Sequence, residues 1–201
     1  NHTNKNAEDF KIDVSDSLEK QNWKPFIAAK DEVLIGGCVF LKNWILRSET
    51  SNALDKIFVR NISTNLEEEL VFSDEKVFVP NISLRQKDKD TDELYLGYSS
   101  PKTPSKVYLY NLSNKSKKVV KEQEIPSGHN SNDYLVERVE FKSHDGRMVP
   151  LTITRHKKTK LDGSANLLLY GYGSYGNSIS PSFSSTKLSL IDRDIIWATA
   201  H

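Results

Sequence analysis

Apolar residues along the first two thirds of the chain come in short runs separated by Lys, Asn, Ser, Asp and Pro. Val33-Leu34-Ile35, Cys38-Val39-Phe40, Trp44-Ile45-Leu46, Ile57-Phe58-Val59, Leu70-Val71-Phe72, Leu94-Tyr95-Leu96, Val107-Tyr108-Leu109 and Val119-Val120 each predict a short strand. Together they predict a mainly β region of many antiparallel strands. The mixed-charge run Lys87-Asp88-Lys89-Asp90-Thr91-Asp92-Glu93 predicts a solvated turn ahead of one of them.

One segment is repeated. Lys56-Ile57-Phe58-Val59-Arg60-Asn61-Ile62-Ser63 aligns with Lys106-Val107-Tyr108-Leu109-Tyr110-Asn111-Leu112-Ser113, and each copy follows another strand, "NWILRSE" or "ELYLGYS". A period of about 40–50 residues with several strands per unit is the signature of propeller blades. Two hairpins of any β protein could also match over eight positions, but the upstream strands correspond as well. So few blades cannot close a ring, so the region is expected to belong to a larger propeller.

The pattern changes at Pro126-Ser127-Gly128-His129-Asn130-Ser131-Asn132-Asp133, a polar, turn-forming linker. "YLVERVEFKS" alternates with period two and leads through Asp145-Gly146 into a second strand, "MVPLTITRH". Asp-Gly between two such strands predicts a hairpin tip, because the turn needs positive φ. Leu167-Leu168-Leu169-Tyr170 is wholly apolar, and Ile195–Ala200 reads the same way, so both predict strands buried on two faces beneath helices. A helix is predicted around Ser185–Leu190. The division that follows is a partial propeller over 1–131 and the start of an α/β domain over 132–201.

Composition removes several classes of function. The net charge is +1, from 28 basic and 27 acidic residues, which gives no field directed at nucleic acid or membrane. No apolar run is long enough to span a bilayer. The single cysteine, Cys38, cannot staple the chain and reads as a small buried hydrophobe. Asn61-Ile62-Ser63, Asn81-Ile82-Ser83, Asn111-Leu112-Ser113 and Asn114-Lys115-Ser116 fit the glycosylation pattern and read here as asparagine-rich turns. A cytoplasmic protein is expected. With no leader and no initial Met, a trimmed or partial product is expected too.

Gly171-Tyr172-Gly173-Ser174-Tyr175-Gly176 forms a G-x-G-x-x-G pattern after a predicted strand. A dinucleotide-binding turn needs the last glycine to open a helix and an acid to end the next strand. Asn177-Ser178-Ile179-Ser180-Pro181-Ser182 opens no helix, and Asp192 and Asp194 precede the next strand. The glycines serve another purpose.

"LLLYGYGSYG", "PSFSSTKLSLIDRD" and "IIWATAH", preceded by "SGHNSNDYLVERVEFKSHDGRMVPLTI", resemble the prolyl oligopeptidase family of serine peptidases, and within it the oligopeptidase B (protease II) branch. "YLGYSSPKTPSKVYLYNL" resembles the last propeller blade of that family. The resemblance covers 94–201 and, more loosely, 1–93. It implies the late blades of a seven-bladed propeller followed by the first strands of an α/β-hydrolase domain. It also implies hydrolysis of oligopeptides after Arg or Lys, with no metal or organic cofactor. The loop then corresponds to the turn after the third hydrolase strand, beside the oxyanion hole. Tyr172 matches the family's oxyanion-hole donor, and Gly171 and Gly173 are expected to let the chain turn tightly around it. Tyr175 matches an aromatic that lines the substrate cleft. Without the resemblance, Tyr172 reads as a packed loop aromatic; a loop staple is the other reading of Tyr175.

The family's nucleophile sits on a G-x-S-x-G elbow, and no such pattern occurs in these residues; Ser174 has Tyr172, not glycine, two positions before it. His201, at a strand end, reads as structural or as the edge of a truncated chain rather than as a catalytic base. The chain by itself is expected to be inactive and to need a complementing C-terminal chain. The rival from another class is a non-catalytic propeller module that binds peptide or protein, or the remnant of a split gene.

Overall fold

A computed structural model describes residues 1–17, 19, 22–82 and 88–201. Lys87, which heads the mixed-charge run, and Ser83, of one Asn-x-Ser triplet, lie outside the described residues. The chain is mainly β and divides into two compact units. The first holds Asn1–Phe72 with the described part of 84–92; the second holds the described part of 73–83 with Glu93–His201.

In the first unit, β1 (His2–Thr3), β2 (Lys11–Val14) and β3 (Lys24–Ile27) form an antiparallel sheet in that order. β4 (Val33–Phe40), β5 (Trp44–Ser51), β6 (Leu54–Asn61) and β7 (Glu67–Glu69) form a four-stranded antiparallel meander. Its register shifts between Ile35 and Cys38, where Gly36-Gly37 makes a bulge. Ile12, Ile27 and Ile35 pack into one core, with Phe10, Phe26, Val33 and the half-buried Cys38 against it. Ile35 and Leu46 are fully buried, each contributing roughly 1.5–3 kcal/mol.

A charged cluster lies inside this unit. Glu49 accepts from Lys30 Nζ at 2.7 Å and from Arg47 Nη2 at 2.7 Å, while Arg47 also pairs with Glu67, which Arg60 meets at 3.0 Å. The Arg47 guanidinium stands 4.5 Å over the Phe58 ring. Pairing of this kind lets two charged side chains occupy the interior of a small sheet.

In the second unit, β8 (Val79–Ile82), β9 (Glu93–Ser99), β10 (Lys106–Asn111) and β11 (Lys117–Glu122) form another antiparallel meander. β9 alternates cleanly: Leu94, Leu96 and Tyr98 are buried and Tyr95 is exposed. The aligned segments 56–63 and 106–113 therefore begin in the third strand of two like sheets, β6 and β10, and "NWILRSE" and "ELYLGYS" are the second strands. This is the repeat of blade-like units.

The remaining sheet runs in the order β12-β13-β15-β14, from β12 (Tyr134–Lys142), β13 (Met148–His156), β14 (Leu167–Gly171) and β15 (Ile196–Ala200). β12 and β13 form the hairpin with Asp145-Gly146 at its tip: Gly146 has φ +87° and donates to Ser143 O at 2.9 Å. β14 and β15 are parallel, so a crossover must join them, and α1 (Ser185–Ile191) supplies it. Ser184 caps α1 by accepting from the Lys187 N–H. Leu188 and Ile191 of α1 pack with Tyr134, Phe183 and Trp197.

Three expectations need correction. The outer strand of the first meander falls on Glu67–Glu69, not on Leu70-Val71-Phe72, which follow it irregularly with Leu70 and Phe72 buried. The edge strand is wet on both faces, so hydrophobicity does not mark it. The mixed-charge run is more than a solvated turn: Asp92 accepts from Trp44 Nε1 at 2.7 Å, and Lys89 O accepts from the Lys42 N–H at 2.8 Å. Finally, β14 is not buried on both faces. Among the described strands it is the edge of its sheet, and Leu167, Leu169 and Tyr170 are exposed.

Candidate functional site

The register Leu167↔Ile196 through Gly171↔Ala200 ends β14 and β15 at the same level. Two features thus emerge side by side at their carboxyl ends: the glycine loop after Gly171 and His201 after Ala200. Among the described residues this is where the sequence-predicted chemistry converges.

Tyr172 leaves the strand end half exposed, at 46 % of its free surface. Ser174–Gly176 forms a single 3₁₀ turn closed by the Asn177 N–H donating to Ser174 O at 3.1 Å. The left-handed backbone falls on Tyr175 (φ 59°) and Gly176 (φ 69°), not on the two glycines flanking Tyr172. A Cβ at Gly171 would meet Ala200 Cβ at 3.5 Å, an ordinary contact, and one at Gly173 would meet open space. Tyr175, a bulky residue in a region that disfavours it, is 94 % exposed. Its ring is not packed as a staple. The next helix, α1, begins only at Ser185, so the turn lacks the helix N-terminus that a dinucleotide phosphate requires.

His201 is held on both ring nitrogens. Nδ1 lies 2.5 Å from Ile179 O and Nε2 lies 2.7 Å from Thr152 Oγ1. Its backbone N–H donates to Pro150 O at 3.1 Å, extending the pairing of β13 with β15. These bonds tie the ring to β13 and to the segment after the glycine loop. Burial pushes its pKa below the ordinary value, and Arg138 and Lys187 push the same way. Beside it, Thr152, Thr154, Pro181, Lys187, Trp197 and Thr199 help enclose a cavity of about 10 Å³, near the minimum for a single water.

Two contributors escaped the sequence reading. Thr152 is almost fully buried on β13, and Arg138 of β12 donates from Nη1 to its hydroxyl at 3.1 Å. Alternation in "MVPLTITRH" marks Thr152 as inward-facing, but an inward threonine reads like a valine until its partner is known. Chemically, the strand ends offer a half-exposed phenol able to donate one hydrogen bond to a developing anion, and a half-buried neutral imidazole. Among the described residues no three His, Cys, Asp or Glu side chains gather at a metal-sized site, and no helix is long and apolar enough to cross a membrane.

Residues 1–123 match the family model described as prolyl oligopeptidase, N-terminal beta-propeller domain. The chain is 33 % identical to dipeptidyl aminopeptidase BI of Pseudoxanthomonas mexicana over 198 residues, 97 % of this chain and 27 % of that protein. The fold is similar to oligopeptidase B from Trypanosoma brucei with covalently bound antipain, in its closed form. There the TM-score is 0.89 and the identity 30 %, over 100 % of this chain and 29 % of the other. Oligopeptidase B from Leishmania major is similar with a TM-score of 0.88 and 25 % identity, over 100 % of this chain and 29 % of the other. The chain spans about a quarter of the length of the curated relatives it matches.

Proposed function

We infer function from one premise: the chain belongs to the prolyl oligopeptidase family. It is the part of a serine oligopeptidase that carries propeller sheets over 1–131 and the opening of the α/β-hydrolase domain over 132–201. The parallel pair β14 and β15 with α1 between them supports that division. The complete enzyme hydrolyses short peptides after Arg or Lys by acyl transfer through a serine, without metal or organic cofactor, in the cytoplasm. This chain, with no G-x-S-x-G, is inactive until a downstream part supplies the nucleophile, acid and base. That the Trypanosoma brucei relative holds antipain covalently supports nucleophilic chemistry in that protein.

The observation that carries the reading is the placement of Tyr172. Its phenol stands half exposed where the parallel strands end, the side of an α/β sheet on which ligands bind. There it serves as the oxyanion-hole donor, and Tyr175, wholly exposed, is left to line the cleft. The test supplies the downstream part as one continuous polypeptide and follows an Arg or Lys amide reporter. Tyr172→Phe keeps the ring and deletes the donor, so kcat falls roughly a hundredfold with KM little changed. Tyr175→Phe keeps its activity. A Tyr172→Phe enzyme as fast as the parent removes Tyr172 from the mechanism, and a folded polypeptide without hydrolysis turns the assignment to a peptide-binding module.

A further inference from the structure

We propose that His201 is a positioning residue, a neutral-imidazole latch that ties the segment after the glycine loop to the sheet and lets go in acid. Its consequence for catalysis rests on the reading of Tyr172 as oxyanion donor; the latch itself does not.

Each hydrogen in the latch can be assigned. Ile179 O only accepts, so His201 Nδ1 carries the proton and donates across 2.5 Å. In the neutral ring Nε2 is then a lone pair, and the Thr152 hydroxyl donates to it across 2.7 Å. Thr152 Oγ1 keeps an acceptor site, which Arg138 Nη1 fills at 3.1 Å. The relay runs from Arg138 through Thr152 and His201 to Ile179 O, all donors pointing one way, an arrangement in which each bond polarises the next. It spans β12, β13, the end of β15 and the segment 177–182. Ile179 follows Gly176 closely, so the latch holds the downstream side of the turn that carries Tyr172 and Tyr175.

Protonation breaks this order. A proton on Nε2 meets a hydroxyl that must swing its own hydrogen away. The new cation would face Arg138 from β12 and Lys187 from α1. On β12, Glu140 lies on the same face as Arg138, opposite Pro150, and its charge acts on Arg138; Pro150, Leu151 and Thr152 of β13, β15 and Asn177–Ser182 offer no side-chain carboxylate. Burial and these two cations hold the His201 pKa below its ordinary 6.5, although the Ile179 carbonyl pulls it up. Because the folded pKa is depressed for a base, the latch is complete at neutral pH and is lost as pH falls through that folded value.

The test reads the titration of His201 in the continuous polypeptide, where no terminal carboxylate stands beside the ring, by C2–H hydrogen exchange and mass spectrometry, with amide exchange of 177–182 as the second readout. The expected midpoint lies below 6.5, and amides of 177–182 exchange roughly tenfold faster once His201 is charged. Thr152→Val removes the relay hydroxyl without changing shape and should raise the midpoint; Thr152→Ser should restore it. A His201 midpoint at 6.5, or a segment 177–182 indifferent to pH and to Thr152→Val, overturns the latch. In the continuous polypeptide, Thr152→Val should lower kcat several-fold and move the acid limb of the pH profile upward, and Thr152→Ser should restore both. If Tyr172→Phe is fully active while the exchange results hold, the oxyanion reading fails and the latch stands. If Tyr172→Phe loses activity while His201 titrates as an exposed histidine, only the latch falls.

Discussion

Asn61 and Asn111 hold the same place in two sheets: each ends the third strand of a meander and folds its side chain back over the turn that follows. Asn61 Oδ1 accepts from the Ser63 and Thr64 N–H groups at 3.0 Å each; Asn111 Oδ1 accepts from Ser113 at 3.0 Å and Asn114 at 3.1 Å. Both turns then need one left-handed residue, Asn65 (φ 57°) in one and Lys115 (φ 58°) in the other, and close with an N–H from the same asparagine to Leu66 O or Ser116 O, 2.9 Å in each. The Asn-x-Ser triplets at these places are thus requirements of the turn.

Asn61→Ala and Asn111→Ala should each cost about 1 kcal/mol, because each leaves two turn N–H groups without their acceptor but still near water. Asn→Asp at either place keeps the acceptor and should cost less. Denaturant melts of the four variants check this; a loss confined to one of the two sites would mean that the turns are not equivalent.

The buried cluster around Glu49 makes a prediction about acid. Burial alone would raise its carboxyl, but hydrogen bonds from Lys30 and Arg47, and their charges, outweigh burial and hold it below its ordinary 4.5. The folded form therefore resists protonation more than the unfolded form, so the contribution of Glu49 is complete above about 4.5 and is lost as pH falls through the lower folded value. Glu49→Gln strips Arg47, itself almost fully buried, of one of its two carboxylates and leaves it Glu67. It should cost roughly 1–3 kcal/mol at pH 7. Urea midpoints at pH 7 and pH 3 check it: the gap between parent and variant should narrow in acid, and a constant gap would place the loss in packing rather than charge.

Strands were legible wherever one face is dry. Leu94, Leu96 and Tyr98 alternate into the core, and "YLVERVEFKS" declared its hairpin through Asp145-Gly146. The repeat at 56 and 106 was legible for the same reason, because equivalent turns demand equivalent asparagines. What stayed hidden is the wet edge. Glu67–Glu69 is a strand only because β6 offers a ladder, with Glu67 and Glu69 paired to Arg60 and Lys56, and nothing in three glutamates says so. At the candidate site, Tyr172 and Tyr175 were singled out by the resemblance to a family; the glycines alone left Tyr172 a packed loop aromatic and Tyr175 a loop staple. Thr152 and Arg138 could not be found, since their roles arise from a register between strands distant in sequence.

Gly36 is a place where a side chain has no room. A Cβ there would fall 2.1 Å from Ser48 Oγ and 3.0 Å from Ser48 O, so the neighbouring strand, not the backbone angle of Gly36, excludes it. Gly36→Ala should cost roughly 1–3 kcal/mol by forcing β4 and β5 apart. Adding Ser48→Gly removes the hydroxyl but not the carbonyl, so the pair should recover only part of the loss. Thermal melts of the single and double variants decide: full recovery would assign the strain to the hydroxyl alone, and no loss in Gly36→Ala would show that the bulge can shift freely.

β14 makes the last prediction. It is bonded on one side, to β15, and forms the edge of its sheet among the described strands. Leu167 and Leu169 on one face are 56 % and 60 % exposed, and Tyr170, on the other, is half exposed. An edge of unpaired N–H and C=O groups flanked by leucines is a template for a further strand, and it carries no charge of its own. The chain on its own should therefore self-associate at micromolar concentration and bind a dye that reports exposed apolar surface. Leu169→Lys places a charge at the edge where the native side chain already meets solvent, so it should raise the monomer fraction without lowering the melting midpoint. Sedimentation velocity of parent and variant measures the first, and a thermal scan the second. A parent that sediments as a single monomeric species across that range would show that the edge is protected in a way its sequence and exposure do not explain.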